Sequence, residues 1–182
     1  MSRIRLLAMD VDGTLTVGAM VFLNGEQVKS FSVYDGLGIR LAMNYGLGIA
    51  WVTGNLSATV AERARTLGVE DVYQSARLKS NALMEIAARR GLELDEIAYI
   101  GDDLNDLPAF ERAGFSFAVS NAAEEVRNRA DAVTVMSGGR GAVREAIETI
   151  LKARGEWEQA VASFLEELTK EEAGKEGPEA VA

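Results

Sequence analysis

Acidic residues recur behind the apolar runs of this chain, accompanied by one threonine and one lysine. Asp10-Val11-Asp12-Gly13-Thr14 closes the first run and Thr53-Gly54 the second. Gly101-Asp102-Asp103-Leu104-Asn105-Asp106 follows Ile97–Ile100, and Lys79 opens a helical stretch between the last two. Five carboxylates converging on one sheet edge repel one another, and their pKa values rise unless a cation shares the site. The 182 residues include no histidine and no cysteine. Thiol nucleophiles, Ser-His-Asp triads, disulfides and zinc fingers are therefore excluded. Catalysis must use carboxylates, hydroxyls, Lys or Arg, and oxygen-only ligands point to Mg2+. Singly, each piece is ordinary. Asp-x-Asp-Gly is usually a turn, an acidic helix start complements the macrodipole, and a lysine at a helix end is usually solvated. Together, each at the expected end of its element, they mark a site.

The elements that must position these residues follow from the hydrophobic pattern. Arg3–Met9 reads as a strand buried on both faces. Val17–Leu23 and Val28–Val33 flank Asn24-Gly25, a two-residue hairpin signal. Further strands are predicted at Leu47–Val52, Asp71–Tyr73, Ile97–Ile100, Phe115–Val119 and Ala132–Val135. Helical spacing begins near Gly36 and recurs over Leu56–Leu67, Leu78–Arg90, Asp106–Ala113, Ala122–Arg129 and from Gly138-Gly139-Arg140-Gly141 to Arg154. Strands alternating with helices predict a doubly wound α/β fold. Its core is a parallel, Rossmann-like sheet in a three-layer α/β/α arrangement, with a β-hairpin at about residues 17–33 after the first strand. In such sheets the ligand crevice lies at the carboxyl ends of the strands, which is where the acidic motifs fall.

The first 154 residues are expected to form one domain, followed by an acidic tail at 155–182. The formal net charge is −9, and the tail, with eight Glu against Lys170 and Lys175, carries −6 of it. The acidic balance of the chain argues against an electrostatic grip on nucleic acid, and the body without the tail is nearly balanced. No basic-then-apolar leader opens the sequence, and no apolar run reaches the roughly 18 residues of a membrane span. A cytoplasmic location without membrane association is the expectation. Trp157, Val161, Phe164 and Leu168 stand at helical spacing, predicting a helix over 156–170, with Glu171–Ala182 disordered.

The motif series of Asp10 to Thr14, Thr53-Gly54, Lys79 and Gly101 to Asp106 resembles the haloacid dehalogenase superfamily over about residues 4–154. Asp35-Gly36-Leu37-Gly38-Ile39, Ala98 to Pro108 and Gly138 to Glu145 resemble its capless branch, the 3-deoxy-D-manno-octulosonate 8-phosphate phosphatases and their sialic-acid-type relatives. The length leaves no segment for a cap domain. The resemblance implies a Mg2+-dependent phosphatase acting on a phosphorylated sugar acid. In it Asp10 is the nucleophile that forms an aspartyl-phosphate, and Asp12 is the acid and base. It further implies that Asp10, the Asp12 carbonyl and Asp102 hold the metal. Thr53, Gly54 and Lys79 hold the phosphoryl oxygens, and Asp103 and Asp106 orient Lys79 and metal-bound waters. Arg40, Arg63, Asn55 and the segment Ser32, Val33, Tyr34, Asp35 and Gly36 would face the sugar acid. The branch assembles as a homotetramer through its hairpins. This chain departs from the pattern at Asn55, where Arg is usual, at Val17 and at Leu78.

Two other readings follow from the same residues. A nonulosonate 9-phosphate or broader sugar-phosphate phosphatase is kept open by Asn55. A non-catalytic assembly domain, like those fused to nucleotide-sugar synthetases, would tolerate loss of the catalytic set, which is intact here. A phosphoacceptor receiver domain lacks Asp-x-Asp-Gly-Thr after its first strand.

Overall fold

The computed structural model describes residues 1–175. Its first strand, β1 (Leu6–Met9), is apolar at every position and buried on both sides. It pairs in parallel with β4 (Gly48–Val52) and with β6 (Ile97–Gly101), setting Met9 opposite Trp51 and Ile100. β5 (Asp71–Tyr73) extends the sheet beyond β4, and β7 (Phe115–Ala118) and β8 (Ala132–Val133) extend it beyond β6. The order is β5-β4-β1-β6-β7-β8. The chain therefore leaves β1 toward one edge and returns to build the other, so the strand order reverses at β1. Loops on either side of that reversal diverge and leave a crevice at the carboxyl ends of β1, β4 and β6.

The helices are α1 (Val33–Asn44), α2 (Ala58–Leu67), α3 (Lys79–Arg90), α4 (Leu107–Phe110), α5 (Glu124–Arg127), α6 (Ala142–Ala153) and α7 (Trp157–Lys175). They complete the predicted α/β/α sandwich. α1 packs on α2, α6 and α7, while α3 packs on α4. α6 shows why: Val143, Ala146, Ile147, Ile150 and Leu151 recur every three or four residues and are all buried, one apolar stripe facing the core. No helix among the described residues is long and apolar enough to cross a membrane.

Several boundaries differ from the expectation. α1 begins at Val33 rather than near Gly36, because the Ser32 hydroxyl accepts the Asp35 amide and caps the helix earlier. α4 and α5 are single turns. The chain after α4 is drawn into β7 by the Gly114 amide, which donates to the Leu94 and Ile97 carbonyls. After α5, the Asp131 carboxylate accepts the Ser116 amide and hydroxyl and pins the chain to the sheet.

The hairpin strands are shorter than predicted, β2 (Val21–Leu23) and β3 (Glu26–Val28), and form a separate two-stranded sheet. Asn24 and Gly25 both adopt positive φ, 52° and 85°, the turn whose twist matches an antiparallel pair. Met20, Val21, Phe22 and Leu23 are exposed, Phe22 at 65%.

The tail also differs. α7 continues through Lys175, so residues 171–175, expected to be disordered, are helical; residues 176–182 lie outside the described part. Its start is anchored. Arg144 and Lys152 place their cations 5.1 and 5.5 Å from the Trp157 ring centre, and the Tyr45 hydroxyl donates to the Gln159 carbonyl. Once the first turns are fixed, Glu, Lys and Ala propagate the helix at little cost.

Candidate active site

Asp10 continues β1 by one residue, its amide donating to the Ile100 carbonyl at 3.0 Å. The chain then turns sharply. The Leu15 and Thr16 amides both donate to the Val11 carbonyl, and the Thr16 hydroxyl accepts from Gly13. Gly13 has φ 101°, and a Cβ there would strike the Asp102 carboxylate. Only glycine lets this turn pass so close to the loop after β6. Thr14 Oγ1 closes the gap by donating to Asp102 Oδ1 at 3.0 Å.

Lys79, the first residue of α3, is 2% exposed. Its Nζ lies 2.6 Å from Asp10 Oδ1 and 2.6 Å from Asp106 Oδ1. Asp106 is fully committed. Oδ1 also accepts the Tyr99 hydroxyl, and Oδ2 accepts the amides of Asp102 and Asp103. Carboxylate oxygens of Asp10, Asp102 and Asp106 lie within 4.8 Å of one another. Burial, followed by the Asp106 charge, pushes the Asp10 carboxyl well above the usual range against the pull of Lys79. Asp102 is pushed up to about 6 by burial and by Asp106. Burial alone would lower the Lys79 ammonium, but Asp10 and Asp106 outweigh it and raise it.

Asp12 stands on the open side of this cluster. One of its oxygens takes the Lys29 ammonium. The other accepts from Asn55 Nδ2 at 3.0 Å and Thr53 Oγ1 at 3.4 Å. Burial would raise the Asp12 carboxyl, yet the Lys29, Asn55 and Thr53 contacts together hold it below the ordinary value. Thr53 is buried where β4 ends, and its hydroxyl also accepts the Asn55 amide. Gly54, beside it, is exposed.

Asp10, Asp12, Thr53, Lys79, Asp102 and Asp106 are thus brought together. Asp103 is not: it is exposed and caps the turn Leu104–Asp106, with its own oxygen on the Leu104 amide. Of the two acids expected near Lys79, Asp106 alone touches it. The segment expected to line a sugar pocket divides. Ser32 caps α1, and Val33 and Tyr34 are exposed. Asp35 is 1% exposed, and its carboxylate accepts the Gly141 and Arg144 amides, capping α6 from another helix. With both oxygens so engaged, Asp35 holds this corner together. Gly36 is buried with the Arg63 guanidinium against it, and Arg63 Nε lacks a partner. Arg40 is exposed on α1, with no ion pair among the described residues.

Two features escape the sequence reading. Lys29 lies on the hairpin arm and reads as an ordinary strand-end lysine until the fold brings it to Asp12. A cleft of about 620 Å3 lies beside the Gly138–Gly141 turn and includes Tyr34, Met136, Arg140 and Arg144 in its wall. The turn itself braces the catalytic loop, since the Gly139 amide donates to the Thr14 carbonyl at 2.8 Å.

The donor set fits a hard divalent cation. Among the described residues, Asp10, Asp12, Asp102 and Asp106 face two ammonium groups, Lys29 and Lys79. Two negative charges are left uncompensated at the crevice, and every free donor there is oxygen.

A family model for haloacid dehalogenase-like hydrolases matches residues 52–147. The chain is 41% identical over 159 residues to the 3-deoxy-D-manno-octulosonate 8-phosphate phosphatase of Escherichia coli strain K12, covering 86% of this chain and 84% of that one. It is also similar to the Moraxella catarrhalis phosphatase of the same name, solved with a magnesium ion, a phosphate ion and a KDO molecule. That match has a TM-score of 0.87 at 42% identity and covers 90% of this chain and 94% of that chain. The cobalt-bound Haemophilus influenzae enzyme matches with a TM-score of 0.83 at 39% identity, covering 86% and 92%.

Proposed function

Since the chain belongs to the haloacid dehalogenase-like hydrolases, in the family of the 3-deoxy-D-manno-octulosonate 8-phosphate phosphatases, we propose that it hydrolyses 3-deoxy-D-manno-octulosonate 8-phosphate to the free sugar acid and phosphate. The observation that carries this reading is the buried contact of Lys79 with Asp10 and Asp106, set beside Asp12 and Asp102 where the strand order reverses.

An Asp10 carboxylate oxygen attacks phosphorus in line. The P–O bond to the sugar breaks as the P–O bond to Asp10 forms, giving an aspartyl-phosphate. The departing alkoxide takes a proton from Asp12. In the free protein Asp12 is held ionised, but the negative phosphoryl group arriving beside it favours the protonated form. Asp12, once deprotonated, accepts a proton from the water that attacks the intermediate and releases phosphate. Thr53 Oγ1, the Gly54 amide and Lys79 hold the phosphoryl oxygens. Lys79 also aims Asp10 and pulls its carboxyl toward the ionised form against burial, and Asp106 fixes Lys79 through its remaining bonds to Tyr99 and two amides. Asp10, the Asp12 carbonyl and Asp102 would hold Mg2+, as the magnesium-bound relative suggests; the ion supplies neutralisation of phosphoryl charge.

Asn55 is uncharged and donates to Asp12, so a positive charge that meets the sugar carboxylate comes from another residue. Arg140 and Arg144, on the cleft wall, and Arg63, behind Gly36, are the guanidinium groups near this corner. A tetramer assembled through the exposed apolar hairpins, and a cytoplasmic location, complete the proposal. The apolar face over Met20–Leu23 is the kind that an interface covers. Steady-state hydrolysis of 3-deoxy-D-manno-octulosonate 8-phosphate with Mg2+, compared with a nonulosonate 9-phosphate, tests the substrate. For the mechanism, Asp10→Asn should lower kcat by at least about 10³-fold. Near-normal turnover by that variant would refute it.

A further inference from the structure

Residues 19–31 project from the body as an arm, and their polar ties to it are few. β2 and β3 bond only to each other. Among the described residues, one hydrogen bond links the arm to the rest of the molecule, from Lys29 Nζ to Asp12 Oδ1. The apolar counterpart is the stack of Phe31 on Trp51, with ring centres 6.0 Å apart. The Lys29 side chain is 2% exposed although it belongs to a largely exposed segment. An ammonium so covered is costly unless paired, and Asp12 is its partner.

We propose that Lys29 is a positioning residue that ties the hairpin arm to Asp12, so that turnover depends on where the arm is held. The inference rests on the catalytic reading above, in which Asp12 moves the proton.

The geometry gives the reason. Asp12 carries two grips on opposite oxygens, Lys29 on one and Asn55 with Thr53 on the other. The second grip is built from the loop after β4 and belongs to the rigid body. The first comes from a separate small sheet. Releasing Lys29 leaves the carboxyl free to rotate about the remaining contacts, and proton transfer is sensitive to such misplacement. Lys29 meets Asp12, whereas the Lys79 Nζ is taken up by Asp10 and Asp106. The two lysines therefore divide the work, Lys79 on the nucleophile and Lys29 on the proton carrier. Because the arm also bears Met20–Leu23, whatever covers that apolar face fixes the position of Lys29 as well.

The test uses Lys29→Met and Lys29→Arg in the full chain, with Mg2+ and 3-deoxy-D-manno-octulosonate 8-phosphate. Acid–base groups contribute about 10²–10⁴-fold to rate, so partial loss of orientation should lower kcat about 10- to 100-fold in Lys29→Met. KM and inhibition by inorganic phosphate should stay within about 2-fold, and Lys29→Arg should recover part of the rate. In an Asp12→Asn background, Lys29→Met should cost less than about 2-fold further, because the pathway through Asp12 is already gone. Replacing residues 19–27 by a short Gly-Ser linker should lower kcat comparably and add little to Lys29→Met. If the linker chain does not fold, Phe22→Asp serves for the same comparison.

An unchanged kcat in Lys29→Met would overturn the proposal. So would a parallel rise in KM and in the phosphate inhibition constant, which would make Lys29 a phosphate contact, or multiplicative effects in either cycle. Failure of the catalytic reading itself shows separately, as normal turnover of Asp10→Asn.

Discussion

Lys79→Met removes the cation between two buried carboxylates while keeping most of the side-chain volume. Lys79 Nζ is 2.6 Å from both Asp10 and Asp106, and all three side chains are almost fully covered. Without it, two carboxylates with oxygens within 4.8 Å face each other. At an effective dielectric of about 20 their repulsion is about 3.5 kcal/mol. This agrees with the roughly 3–5 kcal/mol lost when one partner of a buried pair is deleted. For a chain of this size each kcal/mol moves Tm by about 2–4 °C, so a fall of roughly 6–20 °C is expected near neutral pH. The loss should depend on pH with a definite sign. In the variant, a carboxyl whose folded pKa is raised binds a proton more tightly folded than unfolded. Stability is then retained at low pH and lost as pH rises through the folded pKa. The deficit against the parent should be smallest at acid pH and grow toward neutral and alkaline pH. The assay is thermal unfolding of both chains in chelator across that range. A variant that melts with its parent at the higher pH would show that the two acids are not both charged around Lys79. The same substitution should lower kcat by at least about 10²–10³-fold, the effect of losing one preorganised donor to a developing oxyanion.

Asp102→Asn should weaken Mg2+ binding by at least about 10-fold with little loss of stability, since it removes a charged oxygen donor and relieves repulsion with Asp106; titration calorimetry measures it. Asp35→Ala deletes the cap on α6 and should cost about 1–2 kcal/mol, read by urea unfolding. Trp157→Ala should loosen α7 from α1 and α6 and speed amide exchange over 157–175, while exchange in β1 and β6 stays slow.

The central residues were legible because each one follows an apolar run that reads as a buried strand. In a parallel sheet all carboxyl ends lie on one edge, so Asp10, Asp12, Thr53 and Asp102 could be assigned to one crevice from local pattern alone. Lys79 could be added because it begins the helix after β5 and so lies at the same edge. Lys29 could not be found that way. Its neighbours Val28 and Ser30 carry no sign of chemistry, and its partner is 17 residues away across a turn and a hairpin. Asp35 carries a role that local pattern hides as well: its oxygens serve the amides at the start of α6, 106 and 109 residues further on. Asp103 and Asp106 were indistinguishable as sequence, and only the turn Leu104–Asp106 decides which one faces inward to Lys79.

The sequence by itself determined the strand and helix alternation, the place of the acidic motifs at the strand ends, and the oxygen-only chemistry that the absence of His and Cys imposes. Those are consequences of local composition and of periodicity, which act over a few residues. Tertiary structure alone decided how the charges are shared. It placed Lys79 between Asp10 and Asp106, set Lys29 on Asp12, turned Asp35 into a helix cap, and carried α7 past the expected end of order. Each of these depends on distance and burial between segments far apart in the chain. Desolvation and pairing set the energy of a charged group, and neither exists until the fold has closed around it.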